Sequence, residues 1–140
     1  MIIKVKTVVT KKDKAICFDI RKEVFIKEQK ISEKIEFDDE RVNATYFLAL
    51  YQDTFVGTAR YRSTDNGIKL ERFAVLKPFR NLGIGKELVV HILKSIRNDA
   101  YIYLHAQKSV IDFYSKLGFK RIGSQFYEAE IPHQKMVYSK

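Results

Sequence analysis

The segment 70–88, LERFAVLKPFRNLGIGKEL, constrains the fold most strongly, because a strand pattern runs through a glycine-containing turn directly into a helical pattern. The helix is marked by apolar residues at helical spacing: Leu88, Val89, Ile92, Leu93 and Ile96. The first amides of a helix lack intrahelical acceptors, and the helix dipole adds positive potential there. Gly83 and Gly85 let a ligand approach the backbone closely. The segment therefore predicts a cradle for a phosphate or pyrophosphate group.

Two familiar phosphate-binding motifs do not fit this turn. The P-loop requires G-x-x-x-x-G-K-[ST], but Gly85-Lys86 is followed by Glu87, and position 80 is arginine. The dinucleotide fingerprint requires G-x-G-x-x-G, and Leu88 occupies its last position. What remains is R-x-x-G-x-G after a strand that reads ERFAV.

The N-terminal third predicts a strand, a helix and a loop. Residues 2–9 alternate as a strand, with one face formed by Ile3, Val5, Thr7 and Val9. A helix follows, with an apolar stripe of Ile16, Phe18, Ile20, Val24 and Phe25. The acidic stretch 32–44 is interpreted as a loop that either is solvated or borders a pocket for a cationic amine.

The remainder predicts an antiparallel meander followed by a parallel crossover. Strand patterns YFLALY, TFVGTARYR and GIKLERFAVL are joined at Gln52-Asp53 and at residues 64–67, where Asn66-Gly67 favours a turn with positive φ values. After the helix, YIYLHA predicts a parallel partner strand. A short helix ends at Gly118, and strands follow around 119–130 and 134–138. We therefore expect one α+β domain over residues 1–140, with a mixed, mostly antiparallel sheet and helices on both faces.

Composition narrows the classes of function. The net charge of +9 is spread along the chain without a basic block, which disfavours nucleic-acid binding and leaves a solvated basic surface or attraction of a polyanionic ligand. No apolar run has the length of a membrane span, so no membrane partner is expected. Cys17 is the only cysteine, which excludes a disulfide framework and favours a reducing, cytoplasmic location. The histidines lack ligand spacing, and no metal is predicted.

The motif R-x-x-G-x-G, together with FYSKLGF at residues 113–119, resembles the GNAT superfamily of N-acetyltransferases. VFIKEQ (24–29), LHAQ (104–107) and IPHQKM (131–136) resemble a bacterial subgroup of that family. The resemblance implies a sheet with a splayed parallel strand pair, acetyl-coenzyme A as acyl donor and a primary amine as acceptor. The enzyme would be a monomer or a homodimer. A non-catalytic acyl-coenzyme A sensor using the same cradle is the alternative.

The resemblance also implies roles for individual residues. The pyrophosphate would be held by the amides of Asn81, Leu82, Gly83, Ile84, Gly85 and Lys86, with charge from Arg80. The pantetheine arm would pair with the backbone of Phe73, Ala74 and Val75, and a nearby amide would stabilise the oxyanion. Tyr114 would protonate the leaving thiolate. Gln107 stands where many members have asparagine, and it would either contact pantetheine or cap the following helix.

The acceptor side is less specified by the sequence. Glu71 is the candidate general base, or else a carboxylate paired with Arg72 or Arg60. His133 is expected to line the acceptor pocket, or to be structural. Tyr114 would otherwise pack its ring against the core, and Arg80 would otherwise face solvent. Cys17 is expected to be buried and inert, since no base for a ping-pong mechanism is apparent.

Overall fold

The computed structural model describes residues 2–32 and 43–139. The strands are β1 (Ile3–Thr7), β2 (Thr45–Tyr51), β3 (Thr54–Thr64), β4 (Gly67–Val75), β5 (Ile102–Gln107), β6 (Phe119–Glu128) and β7 (Ile131–Tyr138). The helices are α1 (Lys11–Arg21), which continues as a π-helical segment (Lys22–Glu28), α2 (Ile84–Ser95) and α3 (Ile111–Ser115). The predicted acidic loop falls largely on residues outside the described ranges. No described helix is long and apolar enough to span a membrane.

The strands form one mixed sheet in the order β1-β2-β3-β4-β5-β7-β6. Antiparallel pairing links β2 to β3 and β3 to β4, which confirms the predicted meander. The predicted crossover is confirmed too, because β5 pairs with β4 in parallel and α2 lies between them in the chain. The α+β class expected from the sequence is therefore correct.

The core lies on both faces of this sheet, as the alternation of side chains in β2 requires. Phe47 and Ala49 belong to a cluster with α2 residues such as Leu88. Tyr46 and Leu48 belong to the opposite cluster, which contains Cys17 of α1. The period of two in β2 thus separates a layer under α2 and α3 from a layer under α1.

Two details of the predicted elements were wrong. The first strand was predicted over residues 2–9, but β1 ends at Thr7. Val9 lies beyond it and is 88% exposed, and Thr10 caps α1 through its side chain. In the β3–β4 turn the positive φ belongs to Gly67 (139°) and not to Asn66. A Cβ at Gly67 would lie 2.5 Å from the carbonyl oxygen of Tyr101, so close packing also demands glycine there.

A bulge in β4 opens the sheet where the candidate site lies. Thr58 pairs with Ala74 and Arg60 with Glu71, so two residues of β4 oppose the single residue between them on β3. One of the two, Arg72, has a φ of 58°. The parallel ladder to β5 ends at Leu70–Leu104, and beyond it no described strand neighbours β4 on that side. The remaining backbone of β4 therefore borders an opening.

Candidate active site

A cavity of about 880 Å³ occupies the opening between β4 and β5. Its lining joins the end of β4, the turn before α2, the end of β5 and the β6–β7 hairpin. The predicted site residues that line it are Glu71, Phe73, Ala74, Val75, Arg80, Asn81, Gly83, Ile84, Gly85, Lys86, Gln107, Tyr114 and His133. Leu82 is not among them, since its side chain packs against the core beneath α2.

The turn that leads into α2 presents a row of uncommitted backbone donors. Asn81 (φ 66°) and Gly83 (φ 91°) are left-handed, and Gly83 is the residue that precedes the helix. Glu87 is the first amide after the turn to find an acceptor, the carbonyl of Gly83. Among the described residues, the amides of 81–86 donate to no protein atom. Consecutive free amides at a helix N-terminus bind anions, so this geometry fits a pyrophosphate.

Arg80 secures the turn to neighbouring elements. Its two terminal nitrogens donate to both carboxylate oxygens of Glu28, at 2.6 and 2.7 Å, and its Nε donates to the carbonyl of Val75 at 2.9 Å. The hydrogen bond from Arg80 is the main reason that the pKa of Glu28 lies below its ordinary value. The guanidinium thus faces a carboxylate rather than solvent alone, and it ties the π-helical segment to the turn.

Gln107 makes a second link to the same segment. Its Nε2 donates to Oε1 of Gln29 at 3.1 Å, just beyond the π-helical segment. The helix-capping alternative for Gln107 is wrong, because its side chain forms no cap bond to the 3₁₀ turn that follows. Glu28 and Gln29 were not predicted as site residues, although both stand in the VFIKEQ motif.

Tyr114 lies on α3 within a group of aromatic rings. It packs edge-on against Phe73 of β4, Phe113 and Phe119, with ring centroids 5.0–5.8 Å apart, and it is 7% exposed. Burial raises the pKa of its phenol far above the ordinary value, so the group keeps its proton. Its ring therefore packs in the core while the residue also lines the cavity.

Glu71 is held in a buried network of cations. Its Oε2 accepts from Nε of Arg60 at 2.7 Å and from Nε of Arg62 at 3.0 Å, and Lys69 lies 3.6 Å from Oε1. Burial alone would raise the pKa of Glu71, but the charges of Arg60, Arg72, Arg62 and Lys69 outweigh it and lower the pKa. A carboxylate stabilised in this way is a weak base. The geometry therefore favours the alternative of a carboxylate paired with Arg60.

The β6–β7 hairpin and the end of β5 together place three ionisable groups at the other side of the cavity. Nδ1 of His105 lies 3.3 Å from Oε2 of Glu128, and Nε2 of His133 lies 3.6 Å from Oε1. All three residues line the cavity. Glu128 was not predicted as a site residue. The pairing of β6 with β7, in which Phe126 lies opposite His133, brings Glu128 near His133, and this pairing is not visible in the sequence. No group of metal-ligating side chains suited to an ion occurs within residues 2–32 and 43–139.

Cys17 has no part in this site. It is fully buried on the sheet-facing side of α1, and its Sγ lies 3.9 Å from the carbonyl oxygen of Phe47. Burial raises the pKa of the thiol, which opposes formation of the nucleophilic thiolate.

The sheet is splayed at a bulged strand, and free amides lie beside the opening. The family model for the acetyltransferase (GNAT) domain matches residues 9–140. The uncharacterized N-acetyltransferase YjcF of Bacillus subtilis is 31% identical over 137 residues, covering 94% of this chain and 98% of its own. The chain belongs to the GNAT acetyltransferase family.

Solved structures share the fold. An acyl-CoA N-acyltransferase from Pseudomonas aeruginosa superposes with a TM-score of 0.83 at 21% identity, covering 98% of this chain and 99% of its own. An aminoglycoside 6'-N-acetyltransferase, solved with coenzyme A bound, gives 0.73 at 18% identity, covering 98% and 96%. This chain therefore shares its fold with a protein that was solved with coenzyme A bound.

Proposed function

We propose that this protein transfers an acetyl group from acetyl-coenzyme A to a primary amine, by direct attack within a ternary complex. The observation that carries the proposal is the set of amides at residues 81–86, which have no acceptor in the described chain and border the cavity. A diphosphate supplies the acceptors that these donors lack. Because the chain belongs to the GNAT acetyltransferase family, we take acetyl-coenzyme A as the ligand that supplies this diphosphate.

The acyl donor would be held in two places. Asn81 to Lys86 bind the pyrophosphate, and Lys86 adds a positive charge at the cavity wall. The open edge of β4 from Phe73 to Val75 pairs with the pantetheine arm as an added strand would. An amide near Ala74 or Val75 then donates to the oxyanion that forms on the thioester carbonyl.

Tyr114 supplies the proton for the leaving thiolate. Desolvation keeps the phenol of Tyr114 protonated, and it also makes a thiolate in this cavity more basic. Proton transfer from Tyr114 to the sulfur is therefore favoured only as the C–S bond breaks. The amine attacks, and the sulfur leaves with the proton of Tyr114. The resulting phenolate takes the proton that the new amide nitrogen sheds, which restores the phenol. Glu71 is assigned to hold β4 through Arg60 rather than to act as base.

The links from Glu28 to Arg80 and from Gln29 to Gln107 give the VFIKEQ segment a role. They hold the π-helical segment beside the donor site, and π-helical turns recur at functional sites. With Gln107 of the LHAQ motif and His133 of the IPHQKM motif in the cavity wall, all three motifs of the proposed bacterial subgroup border the site. This placement supports the subgroup assignment, which we retain as part of the proposal.

The test measures thiol release from acetyl-coenzyme A against a panel of primary amines, with Tyr114→Phe beside wild type. Tyr138→Phe is the matched control, because Tyr138 also packs on Phe119 but does not line the cavity. We expect kcat to fall at least 100-fold in Tyr114→Phe and less than twofold in the control. Near-normal turnover in Tyr114→Phe would remove that tyrosine from the mechanism. Tight coenzyme binding without turnover on any amine would instead favour the sensor function.

A further inference from the structure

Glu128 stands between two histidines at the end of β6. The imidazoles of His105 on β5 and His133 on β7 approach its two different oxygens, at 3.3 and 3.6 Å. Glu128 is half exposed at its side chain (45%), whereas His133 is nearly buried (11%). The carboxylate is thus reachable from the cavity, and the imidazole behind it is held in place.

The turn after Glu128 fixes this position at a conformational cost. Ala129 (φ 49°) and Glu130 (φ 63°) are both left-handed, in a two-residue turn where glycine or asparagine is favoured. Such turns match the twist of the strands, and this one keeps Glu128 paired with Ile131 directly beside the turn. Strained backbone of this kind clusters at functional sites. The side chain of Glu128 therefore enters the cavity wall from a position that the hairpin enforces.

Hydrogen bonding settles which nitrogen of His133 can accept a proton. Nδ1 lies 2.7 Å from the carbonyl oxygen of Ile131, and a carbonyl only accepts, so Nδ1 carries a hydrogen. In the neutral ring Nε2 then holds a lone pair, and it lies 3.6 Å from Oε1 of Glu128. A proton taken up at Nε2 would create an imidazolium beside a carboxylate.

Glu128 is also the carboxylate of the cavity wall that is available to a cationic ligand. The described lining contains two carboxylates, Glu71 and Glu128. Glu71 is already surrounded by Arg60, Arg62 and Lys69. The groups that face Glu128 are His105, His133 and, at longer range, Lys69. An ammonium ion is the form in which a primary amine arrives at neutral pH.

We propose that Glu128 and His133 form the acceptor subsite: the Glu128 carboxylate binds the acceptor as a primary ammonium ion, and Nε2 of His133 takes its proton. This inference rests on the proposed acetyl transfer. Loss of one N–H proton to His133 frees the nitrogen lone pair, which forms the new C–N bond as the C–S bond breaks. The second N–H proton reaches the thiolate through Tyr114, and His133 releases the first to solvent. His105 is a positioning residue for Glu128.

The test compares Glu128→Gln and His133→Gln with Glu130→Gln, which removes the same charge two residues away and outside the cavity lining. The best amine of the panel is the acceptor, and kcat/KM is followed from pH 5.5 to 9.5. We expect Glu128→Gln to raise the acceptor KM at least tenfold, and Glu130→Gln to change it less than twofold. His133→Gln should lower kcat/KM at least 100-fold at pH 7 and recover as rising pH supplies free amine.

Acetyl-coenzyme A binding, measured by calorimetry, distinguishes a failure of the proposed acetyl transfer from a failure of the acceptor subsite alone. Wild-type binding without turnover on any amine would overturn the proposed function and this inference with it. Turnover in His133→Gln with the wild-type pH profile, or equal KM values in Glu128→Gln and Glu130→Gln, would overturn the inference alone. Should His133→Gln not fold, the acceptor KM of Glu128→Gln decides: a value at least tenfold above that of Glu130→Gln supports the assignment, and equal values contradict it.

Discussion

Replacing Glu71 by alanine should destabilise the fold more than any loss of a surface charge. Arg60 is 0% exposed and Glu71 is 7% exposed, and their side chains are in direct contact. Removing one partner of a buried ion pair leaves an uncompensated charge, which costs about 3–5 kcal/mol. Unfolding entropy is about 2 cal/mol/K per residue, so for 140 residues Tm should fall by roughly 10–17 °C.

The assay is urea and thermal unfolding followed by circular dichroism. Asp99→Ala is the matched control, because it breaks the Arg97–Asp99 pair, whose side chains are 81% and 78% exposed. Exposed pairs contribute little, so the control should unfold with wild type. The reasoning is refuted if Glu71→Ala and Asp99→Ala have the same Tm. Loss of turnover in Glu71→Gln at unchanged stability would instead restore Glu71 as the general base.

Three further predictions follow from the ionisable groups. The pKa of Glu71 is lower in the folded chain than its ordinary value of 4.5. The stability that the ionised carboxylate contributes is therefore complete above pH 4.5, and it is lost as the pH falls through the folded pKa. From pH 7 to pH 3, the free energy of unfolding should decline less steeply in Glu71→Gln than in wild type. Arg80→Ala should weaken coenzyme A binding and speed amide hydrogen exchange in residues 22–28, which lose the contact through Glu28, whereas Arg97→Ala should change neither. Cys17, buried and with a raised thiol pKa, should not react with Ellman's reagent in the native protein but should react fully in urea; reaction of the native protein would contradict its burial.

The donor half of the site was predictable because its chemistry resides in the backbone of one continuous segment. Glycine spacing and the helical pattern after it are both visible in the sequence, and free amides at a helix N-terminus follow from helix geometry. The meander of β2, β3 and β4 was likewise predicted from local strand patterns and turns, and the antiparallel pairing confirms it. Local patterns sufficed for these features.

The acceptor half depends on contacts between distant segments. Glu128 meets His105 only because β7 lies between β5 and β6 in the sheet, and the register of β6 shifts between Ile122 and Phe126. Arg60 meets Glu71 across a bulge that one left-handed residue, Arg72, creates. The bulge has no sequence signal such as glycine. Gly123 (φ 74°) lies within the register shift, but a lone glycine does not indicate which residues pair on either side of it. Residue type indicated candidate chemistry, but strand pairing decided which groups meet.

The most direct test of the central claim follows the amide signals of residues 81–86 by ¹⁵N NMR during titration with coenzyme A. If these amides hold the pyrophosphate, their resonances should shift strongly with coenzyme A and remain unchanged with pantetheine, which lacks the diphosphate. Binding of coenzyme A that leaves the signals of 81–86 in place, while others shift, would contradict the account.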